Sequence, residues 1–274
     1  MPQKHRLPPG TKLAGPTLAL RLASYNIHKC VGLDGKRQPE RIVDVVNALQ
    51  ADIVALQEVD RRYAPRPAAL PPRLLQAATH LVPLDLAPEG PSLGFHGQTI
   101  LLHPRVMVQP PVLHRLDLPG LEPRGAVFAD LTVAGGRVRI VCVHLGLLRT
   151  SRMQQMEAIM GRLEALEPLP TAILGDFNEW STRSGTEPLN GPFRVHVPGR
   201  SYPAGRPVAA LDRIALSAGM HLLDAGTLST PISRRASDHL PVWADVRAEL
   251  PRHDTSWPEA RISGAGLSSG PAQP

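Results

Sequence analysis

The chain has 274 residues, 42% of them hydrophobic but only 4% aromatic, so it can bury a substantial core of Leu, Val, Ile and Ala, and global disorder is excluded. Thirty prolines and 23 glycines point to many turns and short strands and away from a helical bundle. A formal charge of +6, from 30 basic and 24 acidic residues, favours a phosphate-rich partner such as a nucleic acid or an anionic lipid surface, although the arginines are dispersed and form no long basic run.

Residues 1–17 are polar and Pro-rich, without an apolar segment of signal-peptide type, and are expected to form a flexible arm. A strand is predicted over 18–26. Pro39 then opens a helix on which Ile42, Val45, Val46 and Leu49 share one face. The apolar run at 53–56 reads as a strand that stops at Gln57-Glu58, and the Pro-rich stretch 63–97 carries no clear pattern. Strands follow at 99–102, 125–133 and 137–145, the last two joined by Gly135-Gly136 as a two-residue hairpin loop.

Within that hairpin Cys142 lies in an apolar run and reads as a buried, inert thiol. The only other cysteine is Cys30, which excludes a disulfide framework or a zinc site of clustered thiolates. A helix over 151–167 carries Met153, Met156, Ile159, Met160, Leu163 and Leu166 as one apolar stripe, read as core packing. Strands at 172–174, 211–216 and 240–246 complete the pattern, and 251–274 reads as a disordered tail rich in Pro, Gly and Ser. The expectation is one domain, 18–250, of α/β or α+β class. No stretch approaches the roughly 20 apolar residues that span a bilayer, so a cytoplasmic location is expected.

Polar residues recur at the ends of the apolar runs. Asn26 ends the first strand, Glu58 the second, and His144 the run at 140–143. Asp176 and Asn178 follow 172–175, Asp212 precedes 213–216, and Asp238-His239 precede 240–242. In strands packed into a sheet such ends can converge on one edge, where open sheets bind ligands. Four carboxylates with few nitrogens suit magnesium or manganese better than zinc. A divalent cation so held neutralises phosphate charge and acidifies water, and two histidines with an aspartate can manage protons or stabilise a pentavalent transition state. Taken singly, each element has a plainer use: Gly175-Asp176-Phe177-Asn178 suits a turn, and Asp238 suits a strand-entry cap.

Together the blocks Ser24-Tyr25-Asn26-Ile27-His28, Leu56-Gln57-Glu58-Val59, Val143-His144-Leu145, Gly175-Asp176-Phe177-Asn178, Leu211-Asp212-Arg213-Ile214 and Ser237-Asp238-His239-Leu240-Pro241-Val242 resemble the endonuclease/exonuclease/phosphatase family, in that family's order. The resemblance implies the four-layered α/β sandwich of pancreatic deoxyribonuclease, two mostly antiparallel sheets flanked by helices, with the active site at the strand ends. It implies Glu58 as the principal magnesium ligand (manganese as a substitute), with Asn26 and Asp238 close to the metal. Asp176 would orient or deprotonate the attacking water, Asn178 would hold the phosphate, and His239, fixed by Asp212, would contact a phosphate oxygen or move a proton. His144 would add a second imidazole. Arg124 is expected near the substrate, as is Gln98, whose Gly97-Gln98-Thr99-Ile100 stands where many relatives carry Gly-Asn-Ala. His96, His103 and His114 read as structural or surface residues.

The substrate is accordingly a phosphoester, whether nucleic acid, lipid-linked or small-molecule, and no protein partner is implied. A phosphodiesterase leads, a nuclease is the alternative, and a non-catalytic scaffold is disfavoured because no principal position is eroded. A Ser-His-Asp hydrolase has no Gly-x-Ser-x-Gly elbow here.

Overall fold

The computed structural model describes residues 16–61, 65–87 and 90–250. The expected tail, and all but the last two residues of the expected arm, lie outside them.

Twelve strands build two six-stranded sheets among the described residues. In the first sheet, β1 (Thr17–Asn26) pairs antiparallel with β12 (Val242–Glu249) and parallel with β2 (Ile53–Gln57). A parallel pair needs a crossover, and α1 (Pro39–Leu49) supplies it. This sheet continues through β4 (Gln98–Leu102) to the two-residue β3 (Val82–Pro83) on one side, and β11 (Met220–Thr227) closes the other.

The second sheet repeats the plan. Strands β5 (Val112–Leu118), β6 (Arg124–Val133) and β7 (Gly136–His144) form an antiparallel meander. Helix α3 (Arg149–Glu164) crosses over to β8 (Thr171–Asp176), which runs parallel to β7. Next to β8 comes β10 (Asp212–Ser217), with β9 (Phe193–His196) at the edge.

Alternation along the strands sorts side chains into layers. Leu22, Ile53, Ala55 and Ile100 of the first sheet meet Val127, Ile140, Cys142 and Leu174 of the second in one buried cluster. Their neighbours Ala23, Val54 and Leu56 point the other way, under Ile42, Val45, Val46 and Leu49 of α1. On the far side Met156 and Ile159 of α3 cover Val141, Val143 and Ile173. The order is helix, sheet, sheet, helix, the expected four-layered α/β sandwich. Each fully buried aliphatic side chain contributes about 1.5–3 kcal/mol relative to exposure.

The methionine stripe does pack on the core, with Met156 and Ile159 fully buried and Met153, Met160, Leu163 and Leu166 partly so. Three details differ from expectation. Val133 pairs with Gly136, so the hairpin loop is Ala134-Gly135, with the positive φ of +93° at Gly135. Strands β3, β5, β9 and β11 were not apparent from sequence; all lie at sheet edges, where exposed positions such as Arg115, Asp117 and Arg194 break up the apolar pattern. Short helices α2 (Pro72–Ala78) and α4 (Ser233–Ala236) also form.

Candidate active site

The two parallel pairs bring their C-terminal ends together. In the first sheet Asn26 lies beside Gln57, the residue before Glu58. In the second, Asp176 lies between His144 on β7 and Asp212 on β10. The sheets face each other, so Asn26 Nδ2 donates to Asp176 Oδ2 at 3.1 Å across 150 residues of sequence.

Asp176 is the hub. Its other oxygen accepts from the Asn178 backbone N–H at 2.9 Å, while His144 Nε2 and His239 Nε2 approach Oδ2 at 3.5 and 3.6 Å. Behind His239, Asp212 Oδ2 binds Nδ1 at 2.9 Å and accepts from Ser201 Oγ at 2.5 Å. Asp212 itself is fully buried and reaches the cleft only through that imidazole. Asn178 Nδ2 donates to Leu145 O at 2.8 Å, which fixes the turn after β8. Gly175 is required there: at φ +156° a Cβ would sit 1.9 Å from Val143 O.

The two histidines are driven apart electrostatically. Burial dominates at His144 and pulls its pKa down to about 3; Asp176 opposes this, while Arg124, His239 and Lys29 add to it. At His239 burial also pulls down, but the neighbouring Asp212 and Asp176 outweigh it and push the pKa up to about 10. At neutral pH one imidazole is therefore neutral and the other cationic.

Across the cleft the backbone is strained. His28, Lys29 and Cys30 have φ of 44°, 55° and 61°, and Glu58 has φ of 57°. Left-handed backbone costs about 1–2 kcal/mol per non-Gly residue and persists where surrounding contacts fix it. Here Lys29 N–H donates to Glu58 O at 3.1 Å, and the Lys29 ammonium pairs with the Glu58 carboxylate. Asp238 stands nearby, its Oδ1 accepting from Ser237 Oγ at 3.3 Å. Asn26 Oδ1 accepts from the His28 N–H at 3.1 Å.

Asn26, Glu58, Asp176, Asn178, Asp238, His144 and His239 all line one cleft of about 480 Å³. Arg124 lines it too, held by Glu122 at 2.7 Å. Gln98 does not: it is fully buried and donates to Gly125 O at 2.5 Å, tying β4 to β6, and Gly97 is the residue that faces the cleft. His96, read from sequence as structural or surface, lines the cleft and pairs with Asp117 at 2.7 Å. Sequence reasoning also missed Asp60, Arg66, Trp180 and Tyr202. Asp60 and Trp180 left a positional signal, each standing two residues after a predicted site residue, Glu58 and Asn178.

Two groups could take a cation. Glu58, Asp238 and Asn26 offer oxygen donors, and Glu58 already attracts a cation in the form of the Lys29 ammonium. Asp176, Asp212 and His239 have ligand atoms within 4.8 Å of one another. Oxygens of both groups already have partners: those of Asp176 and Asp212 bind Asn26, Asn178, Ser201 and His239, and those of Glu58, Asp238 and Asn26 bind Lys29, Ser237 and His28.

A carboxylate-lined cleft with cationic margins, set at the converging strand ends of two packed sheets, is what a phosphoester hydrolase needs, and the family of the chain is one of such hydrolases. Residues 23–239 match the Endonuclease/Exonuclease/phosphatase family, and the chain belongs to it. It is 27% identical over 260 residues to the uncharacterized protein YbhP of Escherichia coli K12, covering 83% of this chain and 96% of that one. The same fold occurs in the Bacteroides thetaiotaomicron mannosyl-6-phosphatase Bt3783, with TM-score 0.64, 16% identity, and coverage of 83% of this chain and 99% of that one. It occurs again in D. rerio TDP2 complexed with a single-strand DNA product, with TM-score 0.64, 16% identity, and coverage of 83% and 98%. No helix among the described residues is long and apolar enough to cross a membrane.

Proposed function

We propose that the chain is a divalent-metal-dependent phosphodiesterase, using magnesium with manganese as a substitute. The observation that carries this reading is Asp176, shared by Asn26, His144 and His239 in one cleft, with Glu58 and Asp238 lining it as well. Glu58, Asp238 and Asn26 fit a hard cation: their donors are oxygens, and Glu58 holds positive charge in place. A magnesium ion held there supplies neutralisation of phosphate charge and acidification of water.

The chain's own residues do the rest. Asp176, oriented by Asn26 and by the Asn178 N–H, takes a proton of the attacking water as its oxygen bonds to phosphorus; the ester P–O bond breaks, and the alkoxide released takes up a proton from solvent. His239, charged and held by Asp212, donates from Nε2 to a phosphoryl oxygen, where negative charge grows in the transition state. Neutral His144 offers a second imidazole on the same oxygen face. The Asn178 amide spends one N–H on Leu145 O and has a second for the phosphate.

The test is hydrolysis of bis-p-nitrophenyl phosphate, p-nitrophenyl phosphate and supercoiled plasmid with magnesium, manganese or EDTA, alongside Asp176→Asn. Diester turnover that needs metal and vanishes in the variant is expected. Turnover that survives EDTA refutes the metal requirement, and a monoester preference refutes the diesterase assignment. The nuclease alternative rests on the cationic margin of Lys29, Arg61, Arg66 and Arg124, and predicts plasmid nicking with steep salt sensitivity.

A further inference from the structure

The cleft is asymmetric. Arg61 and Arg66 belong to the loop after β2, whereas Leu147 and Trp180 line the cleft on loops of the second sheet. Leu121, next to the cleft-lining Glu122, and Leu148, next to Leu147, extend this second margin. All four apolar side chains are exposed to water: Leu121 86%, Leu147 63%, Leu148 53% and Trp180 64%.

These side chains are held out by a buried polar frame. Gln155 of α3 is 1% exposed; its Nε2 donates to Pro119 O at 2.8 Å and its Oε1 accepts from the Gly146 N–H at 2.8 Å. One amide thus clamps the loop bearing Leu121 to the loop bearing Leu147. One turn earlier, buried Arg152 donates to Leu147 O at 2.6 Å and to Glu179 Oε2 at 2.7 Å. That clamps the second loop to the one bearing Trp180. Three loops with four exposed apolar side chains are fixed side by side by two buried polar residues.

We propose that Leu121, Leu147, Leu148 and Trp180 form a docking surface for an anionic lipid bilayer. The leucines enter the headgroup–acyl boundary, and Trp180 takes the interfacial position its amphipathic ring favours. Arg61 and Arg66 on the opposite margin meet anionic headgroups, each strengthening binding roughly fivefold near a charged surface. The overall charge of +6 acts in the same sense. Docking sets the cleft against lipid headgroups, whose phosphoesters become its substrates; that last consequence rests on the hydrolase reading above. Nucleic acid fits this margin less well. Trp180, edge-on to Tyr202 at 6.2 Å, could stack on a base, but three leucines offer neither a ring face nor a hydrogen bond.

The test is co-sedimentation of the full chain with phosphatidylcholine vesicles and with equimolar phosphatidylcholine/phosphatidylglycerol vesicles, beside Leu121→Ser/Leu148→Ser. Wild type should bind the anionic vesicles and be released by salt. The double variant should bind on the order of a hundredfold to ten-thousandfold more weakly, from the lost burial of two leucines. Its melting temperature should match wild type, which shows the fold intact. Wild type left in the supernatant, or a variant that binds as well as wild type, overturns the proposal. So does a DNA oligonucleotide that displaces wild type from vesicles and itself binds the variant more weakly. Diester turnover without vesicle binding removes docking and leaves the hydrolase; vesicle binding without turnover of any phosphoester supports docking and removes the hydrolase.

Discussion

Arg152→Met is the sharpest test of how α3 supports the cleft. The arginine side chain is 7% exposed and its partner Glu179 6% exposed. Methionine keeps most of the stem volume and removes the guanidinium. Glu179 then keeps the Ser181 N–H at 2.8 Å but loses its counter-charge, and Leu147 O loses its donor. Breaking a buried pair from one side costs about 3–5 kcal/mol. The nearby Arg149 lends Glu179 some residual positive field, which favours the low end. For a domain of this size about 3 kcal/mol lowers Tm by about 6–12 °C.

The pH dependence has a definite sign. Burial pushes the Glu179 pKa up, but the Ser181 N–H and Arg152 outweigh it, so the pKa lies below its ordinary value of 4.5. The pair's stabilisation is complete above that value and is lost as pH falls through the depressed one. Thermal unfolding of wild type and variant should therefore differ most near neutrality and converge in acid. Arg152→Met/Glu179→Gln, which strands no charge, should recover part of the loss. A single variant within about 1 kcal/mol of wild type, or a double variant no better than the single, refutes the reasoning.

Three further outcomes follow from the site. Glu58→Gln should weaken magnesium binding in calorimetry by more than the roughly 10–100-fold that loss of a supporting partner costs, with the circular dichroism spectrum unchanged. Asp212→Asn should lower kcat by about 10²–10⁴-fold, and His239→Gln should add little to it, because the two act as one unit; additive losses in the double variant would separate them. Cys30 and Cys142 are buried, and burial pushes both thiols up to about 12, so neither should react with a disulfide reagent at pH 8 until the chain unfolds. A fast-reacting equivalent in native protein would show that one of them is accessible.

Much of the candidate cleft was legible because polar residues and strand ends share a signature in this chain. Apolar runs gave the central strands, and the polar residue that ends each run sits where the strand leaves the core. Asn26, Glu58, His144 and Asp176 could thus be selected without knowing their partners. The distances could not be read: Asn26 and Asp176 are 150 residues apart, and their contact depends on how two sheets stack. Gln98 shows the limit from the other side. It was expected near the substrate, but in β4 its side chain turns inward to Gly125 O and leaves Gly97 at the cleft. His96 and Arg66 sit in the Pro-rich segment, where no period marks which side chains face the cleft.

The least legible contribution comes from α3, and the reason is physical. Its apolar stripe predicted a core-facing helix, which it is, yet Ser151, Arg152 and Gln155 are also buried in its first two turns. Residues at i and i+3 share a helix face, so Arg152 and Gln155 point together toward the loop ends. Most of what they bind is backbone: Pro119 O, the Gly146 N–H and Leu147 O. A peptide group in a loop carries no mark in the sequence of which side chain will claim it, so a polar pair on a helix reads as solvated surface. Only the burial of these side chains shows otherwise, because an unpaired guanidinium or amide in that position would cost too much to persist. Gln155→Leu separates the two descriptions. A surface residue tolerates the change, whereas a clamp leaves the Gly146 N–H and Pro119 O unpartnered, for a loss of about 1–3 kcal/mol each in thermal unfolding.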